Sequence, residues 1–97
     1  HLDGEGVAQL FRYSGPLPYS KETAVLMMAD SVEAASRSLP KYDGESIEKL
    51  VNTIIDSQVR ELQFANANIT FRDIREIKKM FKRKLMSIYH VRVEYPD

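Results

Sequence analysis

Apolar positions fall into three blocks, and each block has the spacing of a helix. The first runs from about Ser20 to Leu39, where Pro40 stops it. Ser20 is a good N-cap, and Glu22 stands in the first turn, where the helix dipole favours a negative charge. Within this block Ala24, Val25, Leu26, Met27, Met28 and Ala29 are apolar on every side, which predicts a turn and a half buried all round. Ala29, Ser31, Ala34, Ala35 and Ser36 are small enough to let a neighbouring helix approach.

The second block starts after Asp43, another N-cap residue, with Glu45 and Glu48 in its early turns. Ile47, Leu50, Val51, Ile54, Ile55, Val59 and Leu62 follow the three-and-four spacing of an amphipathic helix. It should fade near Phe64, since Asn66 and Asn68 favour turns. The third block opens on Thr70-Phe71-Arg72-Asp73, a capping box with Asp in the acidic place, and Ile69 is set to staple against Ile74. Ile74, Ile77, Phe81, Leu85 and Ile88, helped by Met80 and Tyr89, make one face; Arg75, Lys78, Lys79, Lys82 and Arg83 make the other. The ends read differently. Phe11-Arg12-Tyr13-Ser14-Gly15-Pro16-Leu17-Pro18 cannot be a regular helix and predicts an extended strap with aromatic anchors. From His90 the odd positions Val91, Val93 and Tyr95 suggest a second strap. The expected fold is all-α, three main helices with flanking extended straps.

Composition narrows the chemistry. The 97 residues are 43% apolar, which suits one small folded domain rather than a disordered tail. There is no Cys, so disulfide scaffolds, thiolate metal sites and thiol nucleophiles are excluded. The longest apolar run has six residues, against roughly 20 for a membrane-spanning helix. Net charge is zero but polarised. Residues 1–61 carry 6 basic and 10 acidic side chains, a balance of −4; residues 62–97 carry 8 and 4, a balance of +4. The basic face of the third helix reads as a solvated face, or as a contact for a partner helix, an acidic surface, nucleic acid or anionic lipid, with lipid the better of the last two in a membrane-tethered protein.

Asp30 is the residue that invites chemistry. It follows six apolar residues, and a carboxylate buried there needs a metal, a cation or several donors. A structural ion pair, with Arg37 or with another helix, is the plainer reading. Glu33 lies one turn on and either supports Asp30 from behind or faces water. Arg37 pairs with Glu33 or reaches a phosphate. Tyr13 and Tyr19 either anchor the strap or stack on a nucleobase. His1 matches no motif and reads as a cloning remnant, in keeping with a chain that does not open on Met. His90, at the end of the third helix, reads as a cap or surface cation.

Three strings carry a resemblance: the strap Phe11 to Pro18, Ser20-Lys21-Glu22, and Leu26-Met27-Met28-Ala29-Asp30-Ser31-Val32-Glu33-Ala34-Ala35. With Thr70-Phe71-Arg72-Asp73 and Arg92-Val93-Glu94-Tyr95-Pro96, they resemble the C-terminal part of the HD domain of the seven-transmembrane HD-domain phosphohydrolases. The resemblance covers about residues 11–96 and leaves 1–10 as a flexible leader. It implies a bacterial inner-membrane protein whose cytoplasmic HD domain hydrolyses cyclic di-AMP at a divalent metal pair, Mn or Fe. It further implies that Asp30 is a ligand of that pair. Tyr13, Tyr19 and Arg37 become candidates for contact with the dinucleotide, and Glu33 a support for Asp30. Two positions depart from the family's strap, Ser14 where Pro is usual and Leu17 where Lys is frequent. The family's His and His-Asp ligands lie upstream and have no counterpart here. The chain by itself is therefore expected to be inactive and to hold no metal. Its partners would be upstream HD helices and the membrane region of the same protein, with no specific nucleic acid. A non-catalytic helical module working through the basic face of the third helix is the alternative. Truncation also implies self-association, with Val25, Met28 or Val32 near the centre of the contact.

Overall fold

The computed structural model describes residues 17–92. The strap residues 11–16, the leader and Val93–Asp97 lie outside the described residues, and so do Tyr13 and His1. Three helices follow in order: α1 (Lys21–Ser36), α2 (Gly44–Arg60) and α3 (Phe71–Ile88). No strand occurs among the described residues. Each helix starts where the sequence places a cap. Ser20 Oγ accepts from Thr23 N at 3.1 Å, Asp43 Oδ1 from Ser46 N at 2.7 Å, and Thr70 with Asp73 forms a complete capping box. Ile69 and Ile74, the expected staple, line one common hollow at the head of α3.

Cross-links between helices fix their directions. Lys21 pairs with Asp73 at 3.1 Å, which joins the starts of α1 and α3. The hydroxyl of Ser36 lies 2.9 Å from that of Tyr89, which joins their ends, so α1 and α3 run parallel. Lys78 pairs with Asp56 and Lys82 with Glu48, so α2 runs antiparallel to α3. All three helices pack on one another. The shared core is built from Ala24, Met27, Met28, Val32 and Ala35 of α1, Ile47, Leu50, Val51, Ile54 and Ile55 of α2, and Ile74, Ile77, Phe81 and Leu85 of α3. A buried polar link crosses it, Gln58 Nε2 donating to Ser31 Oγ at 2.9 Å.

Several sequence expectations need correction. The turn Ala24 to Ala29 is not buried all round: Met28 is sealed, but Leu26 is 62% exposed. Three helices close the core on one side of α1 and leave the other side open. Met28 and Val32, expected at the centre of a self-association contact, are inside that core, and Val25 packs against its edge. α1 ends at Ser36 rather than Leu39, because its last turn tightens: Arg37, Ser38 and Leu39 N–H groups donate to the carbonyls three residues back. Leu62 does not continue the buried face of α2. It adopts φ 58° and turns outward, while Gln63 N donates to Gln58 O and Leu62 N to Val59 O. That is a Schellman ending with Leu in the place glycine prefers. Ile88 and Met80 are exposed rather than buried; the next residue, Tyr89, still packs on Ser36 and Tyr42, so Ile88 lies on the side of α3 turned away from the bundle.

Candidate functional site

A regular helix brings positions four, three and four apart onto one line. On α1 that line is Leu26, Asp30, Glu33 and Arg37, and all four are exposed. The capped, well-packed helix behind them supplies a rigid mount. Asp30 is thus not the buried carboxylate its apolar neighbours suggested. Its exposure follows from the same asymmetry that exposes Leu26: the helix buries one side only. The ion pair expected between Asp30 and Arg37 is absent. Arg37 instead reaches back to Glu33, with Nε and Nη2 at 3.0 and 2.7 Å from one oxygen. Both partners are well exposed, so this pair stabilises the fold by little. It does fix the direction in which the guanidinium points.

Tyr19 stands beside the start of the same helix and is 79% exposed. It does not anchor the strap to the core. Its ring is free to stack on a flat partner, in contrast to the buried Pro18 next to it. His90 takes φ 54°, the left-handed position that ends α3, and His90 N and Val91 N complete a second Schellman ending on Ser87 O and Met86 O. Its backbone, rather than its imidazole, makes the cap.

The basic face of α3 is partly neutralised. Lys78, Lys79 and Lys82 each pair with a carboxylate, from Asp56, Glu76 and Glu48. An apolar hollow of about 360 Å³ at the other end of the bundle is lined by Val59, Phe64, Ile69 and Ile74, with Leu62 and Phe71 on its rim. Thr70 is its one polar lining residue, so it offers little to chemistry. Sequence reading missed a cluster at the end of α1. There Ser36 Oγ donates to Glu33 O at 2.6 Å, leaving its own lone pairs to accept from Tyr89. Tyr89 in turn stacks on Tyr42, with ring centres 4.0 Å apart and planes 15° apart. Partial burial, then the neighbouring Tyr89 phenol, holds the Tyr42 hydroxyl above the usual phenol range, so it stays protonated at neutral pH.

Among the described residues no three His, Asp or Glu side chains gather as a metal site. Asp30 fits a metal as one hard oxygen ligand on a rigid helix, but the described residues around it do not make a complete site. No helix among them is long and apolar enough to cross a membrane.

Comparison with known proteins places the three-helix arrangement within the helical HD-domain fold. No family model matches the chain. The chain is homologous to the HD domain of the PgpH phosphodiesterases. It is 46% identical over 87 residues to the cyclic-di-AMP phosphodiesterase PgpH of Bacillus subtilis and 39% identical over 87 residues to that of Listeria monocytogenes. An uncharacterized Synechocystis protein is 37% identical over 86 residues. These matches take in about nine-tenths of this chain but only 11–12% of the relatives' length. Among solved structures, the L. monocytogenes PgpH HD domain in complex with cyclic-di-AMP matches with a TM-score of 0.77 and 38% identity. That match covers 87% of this chain and 39% of the other.

Proposed function

We propose that this chain is the C-terminal portion of an HD domain, spanning about residues 11–97, and that the whole domain hydrolyses cyclic di-AMP as a metal-dependent phosphodiesterase. The observation that carries the reading is Asp30, an exposed carboxylate on a rigid helix, in line with an uncovered Leu26. A leucine and a carboxylate side by side on an open face suit a seam, one closing against further helices and the other against a cation. Asp30 supplies one ligand to a divalent metal pair, Mn or Fe; the remaining ligands come from outside these residues. Such a pair, when bound, activates water and offsets the charge of the phosphodiester. Arg37, aimed by Glu33, meets a phosphate of the dinucleotide, and Tyr19 and Tyr13 are the candidates for its bases. On the same reading, which here rests on the resemblance to the seven-transmembrane HD-domain phosphohydrolases, the domain sits on the cytoplasmic side of a bacterial membrane protein.

The chain alone is inactive on this reading, because one carboxylate cannot hold two metals. Incubation with Mn²⁺ and cyclic di-AMP, followed by chromatography, should show no product. In the longer protein, Asp30→Ala should abolish turnover and lower metal content while the circular dichroism spectrum and melting temperature persist. Turnover by the isolated chain that survives repurification and disappears in Asp30→Ala would sink the proposal.

A further inference from the structure

The end of α1 is held by a chain of hydroxyls that the proposed chemistry does not itself require. Ser36 is 0% exposed, and its one proton goes to Glu33 O at 2.6 Å. The last turn of α1 has tightened, so Arg37 N donates to Ala34 O at 3.3 Å. In a regular helix Arg37 N would donate to Glu33 O. Ser36 thus supplies a donor for the carbonyl that the tightening releases. With its proton committed, Ser36 Oγ accepts at 2.9 Å from Tyr89 Oη. Tyr89 cannot wander, because it is the C-cap of α3 and its ring lies flat on Tyr42 of the α1–α2 connection. The ending of α3 at His90 further limits it, since Val91 N turns back onto Met86 O at 2.8 Å. Two helices therefore meet at one buried oxygen, with the α1–α2 connection packed behind it through Tyr42, at the turn of α1 that carries the Glu33–Arg37 pair.

We propose that Tyr89 is a positioning residue for the Asp30 face: through Ser36 it fixes the tightened last turn of α1, and so the direction of Arg37. This rests on the reading of Arg37 as a phosphate contact. Without the Tyr89 hydroxyl, Ser36 Oγ loses its buried donor, its rotamer is no longer imposed, and the last turn can relax toward regular helix. Relaxation by one bond pattern shifts Arg37 around the helix axis and loosens its pairing with Glu33. Asp30, two turns earlier in the regular part of the helix, keeps its place. The inference therefore separates substrate binding, which should suffer, from metal binding, which should not.

The test is a double-mutant cycle in the longer, metal-loaded protein, with metal content, melting temperature, kcat and KM for cyclic di-AMP measured on each variant. Tyr89→Phe removes the hydroxyl and keeps the stack on Tyr42. Arg37→Gln removes the proposed contact. Each should raise KM about five- to tenfold at unchanged metal content, and the double variant should resemble Arg37→Gln alone, because the two residues act as one unit. Ser36→Ala should reproduce Tyr89→Phe. If Arg37→Gln raises KM and Tyr89→Phe lowers only the melting temperature, Tyr89 is structural and the positioning role is overturned. Additive effects overturn it too. If Arg37→Gln leaves KM unchanged, the phosphate contact fails, and the positioning role falls with it.

Discussion

Leu62 sits at φ 58°, a region in which a Cβ crowds the backbone and glycine is at ease. Its side chain is 68% exposed, so little packing compensates for the strain. Leu62→Gly should therefore stabilise the chain by about 1 kcal/mol, read as a higher urea midpoint at unchanged slope. A lower midpoint would mean that Leu62 contributes more at the rim of the apolar hollow than its backbone costs. Asp30 gives the opposite kind of residue-scale expectation. Exposed and outside any network, Asp30→Ala in the isolated chain should move stability by no more than about 0.5 kcal/mol. The sequence could not disclose that exposure. Six apolar residues before an aspartate imply burial only if every side of the helix is covered, and which side stays open depends on the number of helices available to pack. Glu33 and Arg37 were legible as a pair, because their four-residue spacing needs nothing beyond the helix itself.

Helix boundaries were read correctly wherever a side chain caps its own backbone. Ser20, Asp43 and Thr70 all act within three residues, so sequence holds the whole interaction. Helix ends were read less well, since the left-handed turns at Leu62 and His90 lack the glycine that would signal them. The caps also set the acid response. The Ser46 N–H, then the Ser46 and Lys41 side chains, hold the Asp43 carboxyl below its ordinary range. The Thr70 N–H and then Lys21 do the same for Asp73. Both carboxyls titrate lower in the fold than in the unfolded chain. Their stabilisation is complete above the unfolded value of about 4 and fades as pH falls through the lower folded values. A melting curve taken from pH 6 to pH 2 should fall steeply only below about pH 4. Asp73→Asn and Asp43→Asn should each flatten that limb, most of all in combination. A limb of unchanged steepness in the double variant would show that other carboxylates drive acid unfolding. Deleting a cap hydroxyl tests the same ends at neutral pH: Thr70→Ala should cost about 1 kcal/mol.

For the whole molecule the question is what covers the open face of α1. Inside the bundle the answer is settled by packing: Met28, 0% exposed, touches the common core, and Met28→Ala should cost about 2–5 kcal/mol wherever the chain is studied. Leu26, one face away, has no such partner among the described residues. If the chain is one part of a longer HD domain, Leu26 is a core residue there and a surface residue here. The relatives are long enough for this, since the matching structure has 61% of its chain outside the match. Leu26→Asp is therefore expected to leave the melting temperature of the isolated chain nearly unchanged. The same substitution in the longer protein should destabilise by about 2 kcal/mol or more, the loss of a buried leucine side chain plus the penalty of a buried charge. Paired thermal melts decide it. Equal, small effects in both would mean that the line from Leu26 to Arg37 faces water in the whole protein. The proposed seam would then be wrong, and Asp30 would have to find its metal at an open surface.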